Sequence, residues 1–189
     1  MIEHRSHALV VGGSGMLRGV CLWLAEEGWI VTVIGRDIVR LATLESMARK
    51  AAGRVTGISV DYNDDAALTL ALAHSKSEHG PWSLVVLWIH NTAPRARDLV
   101  ATAAQGENPV RIFDILGSAG GQSPTEPAIM VTRHARIAWR RVVLGYVPGR
   151  DGSRWLSQAE ICAGVRSAIE RDVVDSIVGT IEPWTARPG

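Results

Sequence analysis

Short, uniformly apolar runs alternate along this chain with longer stretches of helical periodicity, and this alternation constrains the fold more than any other feature. Strands are predicted at 8–11, 29–34, 55–60, 84–89, 110–116, 136–144 and 177–181. Helices are predicted at 16–27, 38–52, 64–77, 96–104 and 157–171. Strands that alternate with helices form right-handed crossovers, so the pattern predicts an α/β fold with a doubly wound parallel sheet and helices on both faces.

The expected strand order is the Rossmann order 3-2-1-4-5-6, with the last strand added at the edge of the sheet. Ligands of such sheets bind beyond the carboxyl ends of the strands, at the switch point between strands one and four. We expect residues 1–189 to form a single domain of this type, because the length is that of one domain and no repeat or long linker interrupts the alternation.

The turn after the first strand is rich in glycine and opens the first helix, as a dinucleotide-binding loop does. Glycine lets the backbone approach the phosphates, and the helix start offers free N–H groups. In a G-x-x-G-x-x-G frame Gly12 and Gly15 match, Arg18 takes the third place, and Gly19 lies one residue late. The residues predicted to bind the pyrophosphate are Gly12, Gly13, Ser14, Gly15, Met16 and Leu17.

Charged residues follow the second and third strands, where the adenosine half of a dinucleotide would lie. Arg36 can pair with the 2′-phosphate of NADP or stack on adenine, which favours NADP. Asp37 keeps NAD as the alternative, because an acidic residue here accepts a hydrogen bond from the ribose 2′-hydroxyl, or it simply caps the second helix. Asp61 and Tyr62 are predicted at the adenine, although an aspartate at a strand end is also a common turn residue.

Candidate proton donors follow strands four and five. His90 and Asn91 lie after strand four, over the expected nicotinamide-side ribose, and His90 is a candidate for proton transfer. The Ser118 hydroxyl could hydrogen-bond a substrate carbonyl. Each also has a plain structural interpretation, as a histidine that closes a strand or as part of a small-residue turn.

These motifs together resemble the short-chain dehydrogenase/reductase superfamily. The residues that carry the resemblance are Gly12-Gly13-Ser14-Gly15 for the glycine loop, Gly35-Arg36 for NADP-preferring members, Asp61 for the adenine-contacting aspartate, Asn91-Thr92-Ala93-Pro94 for the Asn-Asn-Ala-Gly motif, Ser118 for the catalytic serine, and Pro148-Gly149 for the Pro-Gly beside the nicotinamide. The resemblance implies an NADP-dependent oxidoreductase acting on a small molecule, with Asn91 and Pro148 among the cofactor contacts.

The chain departs from that family at its catalytic Tyr-x-x-x-Lys pair. Residues 120–135, between strands five and six, contain neither Tyr nor Lys, and the chain has only two lysines, Lys50 and Lys76. Tyr146, His90 and His134 are therefore considered as replacement proton donors, and Arg150, Arg154 and Trp155 as a loop that could close over a ligand. The family's dimers often use the missing helix, so the resemblance leaves homo-oligomerisation open.

Composition excludes several classes of function. A net charge of +1 gives no footprint for nucleic acid, and neither a signal peptide nor a membrane-spanning run is predicted. Cys21 and Cys162 are expected to be reduced, buried thiols of a cytoplasmic protein, and no metal site is predicted. The competing functions are a small NADPH-dependent reductase for a carbonyl or imine, a non-catalytic NAD(P)-binding sensor or partner subunit, and another nucleotide-using enzyme such as a methyltransferase, which Arg36 disfavours.

Overall fold

The computed structural model describes residues 6–90, 92–117, 136–149 and 152–188. The strands of its main sheet are β1 (His7–Val11), β2 (Ile30–Gly35), β3 (Arg54–Ser59), β4 (Leu84–Leu87), β5 (Val110–Gly117), β6 (Ile137–Leu144) and β9 (Asp175–Val178). They lie in the order β3-β2-β1-β4-β5-β6-β9, and every pair is parallel. The predicted α/β fold and strand order are confirmed, and the switch point lies between β1 and β4 as expected.

Five helices cover the two faces of the sheet in the described residues: α1 (Arg18–Glu26), α2 (Ile38–Met47), α3 (Asp65–His79), α4 (Ala96–Ala104) and α5 (Gln158–Arg171). Helices α1, α2 and α5 pack on one face, and α3 and α4 on the other. Every side chain of β4 is buried, as expected for a central strand covered on both faces. No helix among these ranges is long and apolar enough to cross a membrane.

Local sequence signals account for several of the helix ends. The Asp37 carboxylate caps α2 and the Asp64 carboxylate caps α3. Ser157 and Glu160 form the predicted capping box at the start of α5. Gly28 follows α1 with a φ of +87°, a left-handed conformation that favours glycine at a helix end.

Two predicted elements need correction, and one observed element was not predicted. Helix α2 ends at Met47 and is followed by a 3₁₀ turn, so it is shorter than predicted. Strand β9 begins two residues and ends three residues earlier than predicted, because its register is set by pairing with β6. A two-stranded hairpin of β7 (Tyr146–Val147) and β8 (Arg154–Trp155) was not predicted, since two-residue strands carry no periodicity.

A chain of buried hydrogen bonds ties the amino ends of β1 and β2 to α3. Trp82 Nε1 donates to Ser75 Oγ at 3.1 Å, and Ser75 Oγ donates to Thr32 Oγ1 at 3.0 Å. His7 lies at the end of the chain, with Nε2 2.9 Å from Thr32 Oγ1 and Nδ1 2.9 Å from the Gly80 carbonyl oxygen. A carbonyl only accepts, so Nδ1 carries the hydrogen and Nε2 accepts the Thr32 hydroxyl. This arrangement requires a neutral imidazole.

The pKa of His7 is lowered to about 4, mainly by burial and to a lesser extent by the nearby His79 and Arg54, against the opposing effect of the hydrogen bond to the Gly80 carbonyl. The unfolded chain therefore takes up the proton first as the pH falls from 6.5 to 4, and folding loses stability over that window. We expect the stability advantage of the wild type over His7→Gln, which cannot titrate, to shrink by about 3 kcal/mol across it. Urea unfolding of both proteins at pH 7 and pH 4 measures this, and a pH-independent difference would contradict it.

Candidate dinucleotide-binding site

The first turn of the glycine loop requires glycine for two reasons. Gly12 has a φ of +78°, and a Cβ there would clash with the Trp88 carbonyl oxygen. The Gly12 N–H donates to the Ile34 carbonyl oxygen at 2.8 Å, which fixes the turn between β1 and β2. The loop is thus held at the carboxyl edge of the sheet, between β2 and the segment after β4, which lie on either side of β1.

Two other glycines allow the close packing that the third glycine of the frame was expected to provide. A Cβ at Gly13 would lie 2.7 Å from Val10 Cγ1 and 2.9 Å from Cys21 Sγ, so α1 approaches the sheet here. A Cβ at Gly19 would lie 2.9 Å from Cys162 Sγ, so α5 approaches α1 there. Arg18 lies between these contacts, is exposed, and is free of any packing role against the sheet.

The loop presents backbone donors at the start of α1. The N–H groups of Ser14, Gly15, Met16 and Leu17 have no acceptor among the described residues. Leu17 occupies the N-cap position of α1, and its side chain is fully buried and makes no capping hydrogen bond. Free amides at the positive end of a helix form an anion site, and a pyrophosphate is the anion that a Rossmann loop takes.

Helix α5 supports the loop from outside the sheet. Gln158 Nε2 donates to the Gly15 carbonyl oxygen at 2.6 Å, and Cys162 Sγ donates to the Met16 carbonyl oxygen at 3.2 Å. Both carbonyls are thereby engaged by α5, whereas the amides of residues 14–17 have no acceptor among the described residues. Cys21 is buried as predicted, whereas Cys162 is only half-buried, and both are free thiols.

Asp37, the acidic residue after β2 that kept NAD as an alternative, already has partners on both carboxylate oxygens. One Asp37 oxygen accepts from the backbone N–H groups of Val39 and Arg40 at 3.0 Å each. Its other oxygen lies 3.1 Å from Arg40 Nε. The carboxylate therefore caps α2 and pairs with Arg40. Arg36, next to it, is exposed, with Nη1 3.8 Å from Asp61 Oδ2.

The two residues predicted at the adenine differ in placement. Asp61 is exposed at the end of β3 and accepts from the Asn63 backbone N–H at 3.0 Å and from Asn63 Nδ2 at 2.6 Å. These hydrogen bonds from Asn63 hold the pKa of the Asp61 carboxyl below its usual value. Tyr62 instead packs in the core formed with α3 and α4 and is 7% exposed, so its side chain does not line the edge as predicted.

An aromatic pair marks the end of β4, at the centre of the edge. His90 is exposed, and its ring meets the Trp88 ring edge-on, with centroids 5.5 Å apart. A Cβ at Gly117, the last residue of β5, would lie 3.4 Å from the Trp88 indole, which places that ring over the end of β5. Asn91 and Ser118 lie outside the described residues.

Below this edge, Arg97 and Asp114 form a buried ion pair. Arg97 Nε lies 3.0 Å from each Asp114 carboxylate oxygen, and Arg97 Nη2 donates to the Ile89 carbonyl oxygen at 2.7 Å. Burial raises the pKa of Asp114 to about 6, against the lowering effect of Arg97. The pair joins the start of α4, β5 and the segment that carries His90, so it holds that segment in place.

Tyr146, considered as a replacement proton donor, is not available to a ligand here. Its side chain is fully buried, and its hydroxyl donates to the Pro183 carbonyl oxygen at 2.6 Å. Its backbone also pairs with Thr180, so the residue anchors the β7–β8 hairpin to the segment after β9. The catalytic assignment of Tyr146 is therefore withdrawn, because the hydroxyl is occupied in the interior.

The rest of the loop after β6 is exposed. Pro148 is exposed directly after β7, where a cofactor contact was predicted. Arg154 makes two hydrogen bonds of 2.8 Å to the Glu160 carboxylate, so it supports the start of α5 and is not free to hold a substrate carboxylate. Trp155 is 42% exposed, and His134 and Arg150 lie outside the described residues.

A cavity of about 430 Å³ opens on the outer side of the glycine loop, between α2 and α5. Its polar lining comes from Ser14, Arg18, Arg40, Thr43 and Gln158. It is continuous with the loop that presents the free amides, because Ser14 lines the cavity and also contributes one of those amides.

No family model matches the sequence, and no curated protein matches it either. Solved structures do match the fold. A short-chain dehydrogenase/reductase from Serratia marcescens has 19% identity and a TM-score of 0.69 over 93% of this chain and 96% of that chain. A variant of actinorhodin polyketide ketoreductase with NADPH has 16% identity and a TM-score of 0.71 over 94% and 97%. A metagenomic short-chain oxidoreductase in complex with NADP has 15% identity and a TM-score of 0.71 over 93% and 97%.

The chain has the short-chain dehydrogenase/reductase fold. Within this fold, the sequence did not indicate several residues around the site. Trp88 belongs to the apolar run predicted as strand four and was not singled out. Its position at the end of a central strand is the signal that could have indicated it. Gln158 reaches the loop from 143 residues away, and no local signal could have found it.

Proposed function

We propose that the chain binds NADP(H) at the carboxyl edge of its sheet and acts as an oxidoreductase on a small carbonyl or imine compound without a Tyr/Lys pair. The observation that carries this proposal is the row of free amides from Ser14 to Leu17 at the start of α1. The residues fit a dinucleotide, because the glycines at positions 12 and 13 keep the loop close to the sheet and the amides that follow have no acceptor among the described residues.

The engagement of Asp37 supports NADP over NAD. Both of its oxygens already have partners, at 3.0 Å and 3.1 Å, so a ribose 2′-hydroxyl would compete there with the helix cap and the Arg40 pair. The exposed guanidinium groups of Arg36 and Arg40 favour binding of the additional phosphate of NADP. Two of the matching structures hold NADPH or NADP, in agreement with this choice.

The bound nicotinamide would supply the hydride. This chain's residues would then orient the substrate carbon and deliver a proton to its oxygen or nitrogen. We propose His90, which is exposed after β4, as the proton donor and Ser118 as the hydrogen-bond donor to the substrate. Asn91 and Pro148 are proposed to contact the nicotinamide half, and residues 1–189 to form one dinucleotide-binding domain.

A second candidate function is a non-catalytic NAD(P)-binding sensor or partner subunit. The burial of the Tyr146 hydroxyl against Pro183 favours it, because it removes one replacement for the missing tyrosine. Such a protein would bind the dinucleotide through the same loop and show no turnover. The partner of such a sensor or subunit would be another protein rather than a small-molecule substrate.

Titration with NADPH and with NADH, followed by tryptophan fluorescence, tests the cofactor. We expect NADPH to bind more tightly and to quench emission with energy transfer to the nicotinamide. Trp88→Phe should lose the largest part of that transfer, since Trp88 lies at the switch point, while Trp29→Phe, at the opposite edge of the sheet, should lose little. Tighter binding of NADH would contradict the NADP assignment, and absence of binding to either nucleotide would contradict both functions.

Turnover separates the two candidates. NADPH oxidation in the presence of a panel of aldehydes, ketones and cyclic imines, abolished in His90→Ala or Ser118→Ala, supports the oxidoreductase. Tight binding with no turnover on the whole panel supports the non-catalytic protein. The Tyr146→Phe variant serves as the control, because its hydroxyl is buried and should leave turnover unchanged once the protein is folded.

A further inference from the structure

The Trp88 indole lies across the carboxyl edge of the sheet, from the glycine loop to the end of β5. A Cβ at Gly12 would lie 3.3 Å from Trp88 Cβ, so the side chain begins beside the first turn of the loop. A Cβ at Gly117 would lie 3.4 Å from Trp88 Cη2, at the far end of the ring system. The indole therefore spans the edge beside the switch point.

Packing holds this ring in place and leaves part of it open to solvent. Trp88 is half-buried and packs against the core cluster that α1 and α5 form with the sheet. Its ring also meets the exposed His90 ring edge-on, with centroids 5.5 Å apart. An indole held in this way is a preorganised aromatic surface, because little side-chain freedom remains to be lost when a ligand binds.

The direction of a bound dinucleotide would bring its nicotinamide half to this ring. The amides of residues 14–17, which have no acceptor among the described residues, would take the pyrophosphate. Arg36 and Asp61 lie at the ends of β2 and β3, where the adenosine half is proposed. A dinucleotide bound across the switch point has its other half on the opposite side, over the ends of β4 and β5. The Trp88 indole lies on that side.

The two redox states of nicotinamide differ in how they interact with an indole. The oxidised ring is a planar cation, whereas the reduced ring is neutral. Among aromatic side chains, tryptophan attracts a cation over its face most strongly. Asp114, the buried acid below this edge, is already paired with Arg97 and does not offer a second anionic partner. Contact with Trp88 therefore stabilises the oxidised ring more than the reduced ring.

We propose that Trp88 stacks on the nicotinamide ring and shifts the affinity of the site toward the oxidised dinucleotide. This role rests on the proposed function, because it requires a dinucleotide at this edge of the sheet. It deepens that function by assigning the relative affinity for the two redox states to one side chain. In an oxidoreductase the shift slows release of NADP⁺ after reduction of the substrate. In a sensor it makes occupancy depend on the ratio of NADP⁺ to NADPH.

Calorimetric titrations of the wild type and three variants with NADP⁺ and NADPH test this role. Trp88→Leu should weaken NADP⁺ binding about three- to tenfold more than NADPH binding. Trp88→Phe keeps a ring that attracts cations less strongly, so it should shift the ratio in the same direction by less, and it decides the question if Trp88→Leu does not fold. Trp29→Leu, just before β2 at the opposite edge of the sheet, should leave the ratio unchanged. An equal loss for both nucleotides, or an unchanged ratio, would overturn the proposal.

A spectroscopic signature separates stacking from a packing role. An oxidised nicotinamide on an indole should give a charge-transfer absorption band at longer wavelength than either ring alone. The band should appear with NADP⁺, be absent with NADPH, and be lost in Trp88→Leu but not in Trp29→Leu. Binding of NADP⁺ without this band would overturn the stacking and leave the proposed function standing.

A smaller probe distinguishes failure of this role from failure of the proposed function. If the wild type binds neither dinucleotide, the proposed function fails, and titration with the 1-methylnicotinamide cation tests the ring by itself. A charge-transfer band that is lost in Trp88→Leu and kept in Trp29→Leu would still support a surface for cationic rings at Trp88. Absence of such a band would overturn it.

Discussion

Gly12→Ala is expected to abolish dinucleotide binding and to destabilise the fold. Alanine at a φ of +78° costs about 1–2 kcal/mol in backbone conformation. Its Cβ would in addition clash with the Trp88 carbonyl oxygen, and relieving such overpacking costs about 1–3 kcal/mol more. The loop or β4 must then move, and the amides that follow Gly12 no longer face the edge together.

Gly28→Ala is a matched control for this variant. Gly28 has a φ of +87°, and nothing lies within 4 Å of the position that its Cβ would take. It should therefore show the conformational cost without the clash and should keep its affinity for NADPH. Urea unfolding and NADPH titration of both variants give the comparison. Equal stability losses, or wild-type affinity in Gly12→Ala, would show that the contact with Trp88 does not position the loop.

Arg97→Met is expected to give the largest loss of stability. It leaves the Asp114 carboxylate buried at 6% exposure without its partner, and removing one member of a buried ion pair costs about 3–5 kcal/mol. Amide hydrogen exchange should also rise in the segment after β4, because Arg97 Nη2 no longer holds the Ile89 carbonyl. Equilibrium unfolding at pH 7 measures the first effect.

The pH dependence of this variant has a definite sign. The folded-state pKa of Asp114, about 6, is already raised above its unfolded value by burial, and loss of Arg97 removes an interaction that lowers it. Folding of Arg97→Met therefore gains stability as the pH falls from 7 through 6, and the gap to the wild type narrows. The double variant Arg97→Met/Asp114→Leu should recover most of the loss. A gap that widens in acid, or no recovery, would refute the role assigned to the pair.

Much of the fold was predictable because each signal was local. The apolar run at 84–89 and the Ser157–Glu160 capping box are set by neighbouring residues, and both are found in the structure at or near the predicted positions. The order of the strands followed from the handedness of the crossovers. The boundaries of β9 could not be predicted from the sequence, because they depend on pairing with β6.

The candidate site was predictable only along the backbone. The glycine loop and the exposed Arg36 lie at the edge where the strand order placed them. Side-chain direction was not predictable, because it depends on partners distant in sequence: Tyr146 turns inward to Pro183, and Tyr62 turns into the core. Residue type at a strand end thus indicates a position, whereas the availability of its hydroxyl depends on packing.

The glycine loop cannot gain its support from α5 until α5 has been synthesised. Gln158, which holds the Gly15 carbonyl, is synthesised 143 residues after Gly15. Contacts of such long sequence separation form late in folding. The nascent chain therefore completes the outer support of the glycine loop only after α5 has been made, and a fragment that stops after β6 would carry the glycine motif without that support.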